Sequence, residues 1–161
     1  MSAASKILPL PFLLEAVAPL RAAGRKVALA NGLFDLLHVG HLRYLEGSKA
    51  EADLLVVAVN SDASARGLKG PSRPIVPERE RAELVAGFAC VDFVTLFDEP
   101  SVEAVMRALL PDVHCKGTDY TRETVPEREI ARELSIRVTI VGDPKEHATR
   151  DLVSRILALP R

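Results

Sequence analysis

Five short apolar runs, separated by stretches with helical spacing, constrain this chain more than any other feature. Residues 53–60 (DLLVVAVN) are apolar almost without a break. A strand with one wet face alternates apolar and polar residues. A continuous run fits a strand buried on both faces, as in a parallel sheet covered by helices. Residues 26–31 (KVALAN), 91–97, 112–116 (DVHCK) and 136–141 (IRVTIV) supply the other strands. Residues 39–52, 77–88, 101–110 and 122–134 carry helical spacing, and residues 149–159 close the chain as a helix. Pro77 suits a helix start, and Ser101 with Glu103 suits another. Residues 61–77 are polar and rich in Gly, Pro, Lys and Arg, which predicts a loop with at most a short helix. The alternation predicts an α/β fold with a parallel sheet and helices on both faces.

The 161 residues suit one domain, 1–161, with an N-terminal helical extension over residues 1–24. In that extension residues 11–23 read as an amphipathic surface helix ending at Gly24. Pro9, Pro11 and Glu15 break up its faint likeness to a signal peptide. The formal net charge of -1 argues against a non-specific nucleic-acid partner, and no apolar run has the length of a membrane span. Cys90 and Cys115 lie far apart with no CxxC pair. Two reduced thiols in a cytoplasmic protein are therefore expected, rather than a disulfide or a zinc site.

In such sheets ligands bind beyond the carboxyl ends of the strands, near the point where strand order reverses. The densest signal there is residues 31–41, Asn31-Gly32-Leu33-Phe34-Asp35-Leu36-Leu37-His38-Val39-Gly40-His41. His38 and His41 are three apart and share a face in a first helical turn. Gly32 allows a tight turn after the strand, and Gly40 lets a ligand approach the backbone. Helix-start N–H groups favour phosphate, and the two imidazoles can donate to phosphoryl oxygens. Attack at an α-phosphate builds charge on oxygen, and positioned donors stabilise it. A phosphate nucleophile is already anionic and needs no strong base. The histidines are therefore assigned to charge stabilisation. An isolated HxxH would read more simply as a helix cap or a core pair. A zinc site would need a carboxylate or cysteine at ligand spacing, and none is present. No residue is assigned as a direct, tight metal ligand.

Lys69 and Arg73, in a Gly- and Pro-rich loop after a strand end, can embrace a sugar phosphate. Arg81 sits in a charge-rich helix start, residues 78–83, where a solvated face is the default reading. In the run Lys116-Gly117-Thr118-Asp119-Tyr120, Gly117 lets the chain turn, Asp119 can bind a ribose or sugar hydroxyl, and Tyr120 can wall a pocket. A plain strand-end turn is the alternative. His114 alternates within its strand as a packing residue. Phe12, Phe34, Phe88, Phe93 and Phe97 are expected in the core.

The strand–NGxFD–xxHxGH–helix stretch resembles the HxGH nucleotidyltransferase superfamily, in its cytidylyltransferase-like branch. The likeness continues through Ala58-Val59-Asn60-Ser61-Asp62, the loop from Leu68 to Ile75, Glu80-Arg81, Val91-Asp92 and the Lys116–Tyr120 run. It covers residues 26–156 and is nearest to heptose-1-phosphate adenylyltransferases, whose domain in many relatives follows a sugar-kinase domain. The resemblance implies a Rossmann-like single domain with a five-stranded parallel sheet. It implies transfer of AMP from ATP to D-glycero-D-manno-heptose 1-phosphate, giving ADP-heptose and pyrophosphate, with Mg²⁺ and in a homodimer. His38, His41 and Lys49 would then act on the triphosphate. Asn31, Gly32, Leu33, Phe34, Gly40, Lys116, Gly117, Asp119, His147 and Thr149 would hold the nucleotide. Asp35, Asn60, Asp62, Lys69, Arg73, Arg81 and Tyr120 would hold the second substrate, with Asp35 near that substrate or the metal.

Two departures bear on substrate identity. Ala148 and Arg150 stand where relatives carry hydroxyl residues opening the last helix. Thr149 keeps a hydroxyl able to cap that helix, and His147 and Arg150 can add positive charge. Thr118 replaces a glycine common in heptose enzymes. A glycerol-3-phosphate cytidylyltransferase, an FMN adenylyltransferase and a non-catalytic nucleotide-binding module are the competing readings. The loop around Lys69 and Arg73 favours a sugar phosphate.

Overall fold

The computed structural model describes residues 2–144 and 149–160. The expected sheet forms from β1 (Val27–Gly32), β2 (Leu54–Asn60), β3 (Phe93–Phe97), β4 (Val113–Gly117) and β5 (Arg137–Val141). All neighbours pair in parallel, in the order β3-β2-β1-β4-β5. The chain runs outward from β1 to β3, then returns to the other side of β1 for β4. Order therefore reverses between β1 and β4, and a crevice opens above their carboxyl ends.

Side-chain alternation sends each strand's residues to two separate cores. Val27, Leu29, Val56 and Phe93 pack with α1 (Leu10–Ala22), α5 (Glu103–Leu109) and α6 (Arg128–Glu133). Ala28, Ala30, Leu55, Val57 and Cys115 pack with α2 (Val39–Lys49) and α4 (Glu78–Ala86). All seven β2 residues are buried, which accounts for its unbroken apolar run. The polar stretch after β2 contains the short helix α3 (Asp62–Lys69), capped by Ser61 Oγ, which accepts from the Ser64 N–H at 3.2 Å. The chain closes with α7 (Thr149–Leu157).

Three expectations need correction. The helix expected over residues 122–134 is only α6, because Pro126 excludes Val125 from helical geometry and residues 121–124 form a turn. Phe12 is 59% exposed rather than in the core. It lies one residue round α1 from Leu13 and Val17, the pair four apart that faces the sheet. The N-terminal segment is also more than a surface helix. Leu13 and Val17 are almost fully buried, each worth about 1.5–3 kcal/mol. Ile7 bridges to Val94, and Lys6 Nζ donates to the carbonyls of Phe88 and Val91 at 3.3 and 2.8 Å. Among the described residues, no helix is long and apolar enough to cross a membrane. Cys90 and Cys115 are both free thiols.

Candidate active site

The crevice is a cleft of about 890 Å³, lined from the ends of β1, β2, β4 and β5 and from the first turn of α2. That volume suits a nucleotide-sized ligand. The turn leaving β1 is built by packing. Phe34 adopts φ 50°, a left-handed conformation strained for a bulky residue. Its ring lies over Gly32, where an added Cβ would meet ring carbon at 3.2 Å, and leans on His41 with centroids 5.4 Å apart. Gly32 therefore makes room for Phe34, and the tight turn falls on Phe34 instead. Asp35 holds the opposite side of the turn. Its Oδ1 accepts from the N–H groups of Ile75 and Val76 at 2.8 and 2.9 Å, and its Oδ2 pairs with Arg73 at 2.6 Å. Asp35 thus clamps the Lys69–Arg73 loop over the cleft.

His38 is the extended N-cap residue of α2, with φ -142° and ψ 171°. Its backbone N–H donates to His41 Nδ1 at 3.3 Å, so the helix-cap alternative is part of what this pair does. The bond also sets chemistry. With Nδ1 accepting, the ring proton of neutral His41 belongs on Nε2, the nitrogen available to a ligand. Burial, then the neighbouring His38, pushes the His41 pKa down from 6.5 to about 4. The two rings stack with centroids 4.0 Å apart. Two unit charges at that distance would repel by about 4 kcal/mol at an effective dielectric constant of ~20. In the free protein His41 is therefore a neutral hydrogen-bond donor. Cationic charge comes from Lys69, Arg73, Lys116 and Arg150, all on the cleft wall.

The β4 side is organised by a buried pair. Lys116 Nζ lies 3.2 Å from Glu127 Oε2, with both side chains almost fully buried, and 4.8 Å from the Tyr120 ring centroid. Gly117 is not in a left-handed conformation, and a Cβ there would meet nothing within 4 Å. Its bareness leaves space toward the cleft, while the following turn closes through the Tyr120 N–H to the Gly117 carbonyl at 3.1 Å. Thr149, the first residue of α7, donates its hydroxyl to the Leu36 carbonyl at 3.2 Å, tying α7 to the turn before His38.

The structure brings Asn31, Gly32, Leu33, Phe34, Asp35, His38, Gly40, His41, Asn60, Lys69, Arg73, Lys116, Gly117, Asp119, Tyr120 and Thr149 to one cleft. It does not bring three others there. Lys49 sits at the carboxyl end of α2, about 15 Å along the axis from its start at ~1.5 Å per residue. There its Nζ donates at 2.6 Å to both the Asp53 carbonyl and Asp92 Oδ2. Arg81 is fully buried. It donates to the carbonyls of Val76 and Leu33 and pairs with Asp62 Oδ1 at 2.8 Å. Asp62, occupied by Arg81, also lies outside the lining. These two brace the turn and loop from behind instead of touching a substrate. His147, with Ala148, lies outside the described residues.

Tyr44, Glu127 and Asp143 line the cleft without having been singled out from sequence, and Ser101, read there only as a helix start, lines it too. Tyr44 was findable, because it follows His41 by three residues, the spacing that linked the histidines. Its hydroxyl donates to the Cys115 carbonyl at 2.8 Å. Glu127 was hidden by the over-long helix and is the N-cap residue of α6. Among the described residues, no cluster of three His, Cys, Asp or Glu is arranged to hold a metal ion.

The Cytidylyltransferase-like family model matches residues 29–154. A curated relative described as "Bifunctional protein HldE", from Syntrophotalea carbinolica, is 44% identical over 137 residues, covering 85% of this chain and 28% of the relative. One of the same description from Citrifermentans bemidjiense is 42% identical over 154 residues, covering 96% of this chain and 32% of the relative. This chain therefore spans about a third of the length of those relatives. A crystal structure titled as the lipopolysaccharide core biosynthesis protein from Thermoplasma volcanium is 28% identical, with a TM-score of 0.66. The match covers 76% of this chain and all of that one.

Proposed function

The chain belongs to the cytidylyltransferase-like family, and from that premise we propose that it transfers AMP from ATP to D-glycero-D-manno-heptose 1-phosphate, releasing pyrophosphate. The observation that carries the reading is the stacked His38–His41 pair at the start of α2, in a cleft whose lining also includes Lys69, Arg73, Lys116 and Arg150. The 1-phosphate oxygen attacks the α-phosphorus, and the bond to the bridging oxygen of pyrophosphate breaks. Charge grows on the phosphoryl oxygens as this happens. Donors already held in place, the His41 Nε2–H among them, strengthen their bonds to those oxygens without reorganising. Lys116 of β4 and Arg150, which follows β5 along the chain, suit the nucleotide. Lys69 and Arg73, which follow β2 along the chain, suit the sugar phosphate.

The residues present fit Mg²⁺ that arrives on the triphosphate. Among the described residues there is no carboxylate cage, and Asp35 already serves Arg73 and two backbone N–H groups. The ion would supply charge compensation to phosphate oxygens. The reading extends to a cytoplasmic homodimer whose ADP-heptose serves lipopolysaccharide core assembly. It is tested by pyrophosphate release with ATP or CTP against heptose 1-phosphate, glycerol 3-phosphate and FMN. Release with ATP and heptose 1-phosphate is expected. Release only with CTP and glycerol 3-phosphate would overturn it.

A further inference from the structure

A fully buried histidine lies beneath the cleft, unused by this chemistry. His114 sits in β4 beside Leu29 of β1, and alternation puts it on the same sheet face as Lys116 and Asn31. His114 Nε2 lies 3.0 Å from Asn31 Oδ1, and Lys116 Nζ lies 3.4 Å from the same oxygen. An ammonium can only donate, so the Asn31 atom facing Lys116 is the amide oxygen, not its NH₂. The remaining assignments follow from that one. His114 donates from Nε2. Burial, then the Lys116 charge, holds its pKa down at about 3, so the ring is neutral and its lone pair is on Nδ1. That Nδ1 is buried with no hydrogen-bond partner among the described residues. An apolar side chain in the same place would avoid this cost, so the imidazole needs a reason to be there.

The reason lies on the far side of the amide. With its oxygen occupied by two donors, Asn31 has its N–H pair turned away from them, and Asn31 lines the cleft beside Gly32 and Phe34. A flipped amide would set NH₂ against an ammonium and an imidazole N–H. We infer that His114 is a positioning residue: with Lys116 it locks the Asn31 amide so that its NH₂ donates to an anionic oxygen of the nucleotide. The nature of the ligand rests on the nucleotidyl-transfer reading above. The lock is a property of the free protein.

Two measurements on the full chain test it. Nitrogen-15 NMR of the histidines should show His114 as the neutral Nε2–H tautomer, without titration between about pH 5 and 8. An Nδ1–H tautomer overturns the lock. His114→Leu removes the donor, and His114→Gln retains one. ATP affinity, read by calorimetry, should weaken about tenfold in the Leu variant, the scale of one lost hydrogen bond. The Gln variant should return it close to the parent value. The KM for ATP should follow, while the KM for the sugar phosphate should not. A merely structural histidine would lower the melting temperature of both variants without that nucleotide-specific change. Unchanged ATP affinity in His114→Leu, or equal weakening in both variants, overturns the inference. Should the Leu variant not fold, the tautomer and the Gln variant decide. A chain that binds ATP with this pattern but transfers nothing keeps the lock and loses the reaction. A chain that turns over with ATP affinity indifferent to position 114 does the reverse.

Discussion

Basic side chains at the mouth of the cleft and those in the layer behind it have opposite fates. His41 spends one ring nitrogen on the protein and keeps the other for a ligand. Lys69 and Arg150 complete a wall that faces open space. Behind them, Arg81 directs its donors at Val76, Leu33 and Asp62, and Lys49 directs its donors at Asp53 and Asp92. A cation whose donors meet protein acceptors holds strand ends and turns together. A group with a donor left over can meet a substrate. Residue type and motif membership do not separate the two groups, but the fate of each hydrogen-bond donor does.

Breaking the inner layer should have the largest effect on stability. Arg81→Leu leaves Asp62 and two carbonyls without their partner, and should lower unfolding free energy by about 3–5 kcal/mol in urea titrations. A urea midpoint equal to the parent's would show that Arg81 does not brace the turn. At the mouth the effect should move to turnover. His41→Ala should lower kcat by about a hundredfold, as for loss of one positioned donor, with a smaller fall in the urea midpoint than in Arg81→Leu, since only one cap bond is lost. Full turnover in that variant would remove His41 from the chemistry.

Acid should sharpen the same contrast. His41 and His114 have their pKa values lowered from 6.5 to about 4 and about 3 in the folded chain. Below 6.5 the unfolded chain binds more protons at these positions, so stability falls as pH drops toward 4 and then 3. Urea midpoints measured from pH 7 downward should decline less steeply in His114→Gln than in the parent, and parallel declines would contradict the buried neutral ring. The smallest effect is expected at Lys49. Its pair with Asp92 is about 31% and 30% exposed, so Lys49→Met should lower stability by about 1 kcal/mol or less and leave kcat unchanged. A tenfold loss of kcat there would return Lys49 to the chemistry.

Much of this molecule follows from local pattern. The unbroken apolar run of β2 reports a strand covered on both faces, and the other runs and helical spacings set the element order. The residues from Asn31 to His41 form one turn and one helix start, so their spacing alone brings two imidazoles together. Tertiary structure decided what depended on partners far along the chain. Lys49 and Asp92 are 43 residues apart, Arg81 and Leu33 are 48 apart, and His114 and Asn31 are 83 apart. Sequence periodicity reports which face of an element is apolar. It carries no record of which distant acceptor consumes a donor, because that depends on strand order and on how far each helix runs. The sheet order β3-β2-β1-β4-β5 set β4 beside β1 and so His114 under Asn31, while the run of α2 from Val39 to Lys49 carried Lys49 away from the cleft. That same order decided which donors were left to face the cleft.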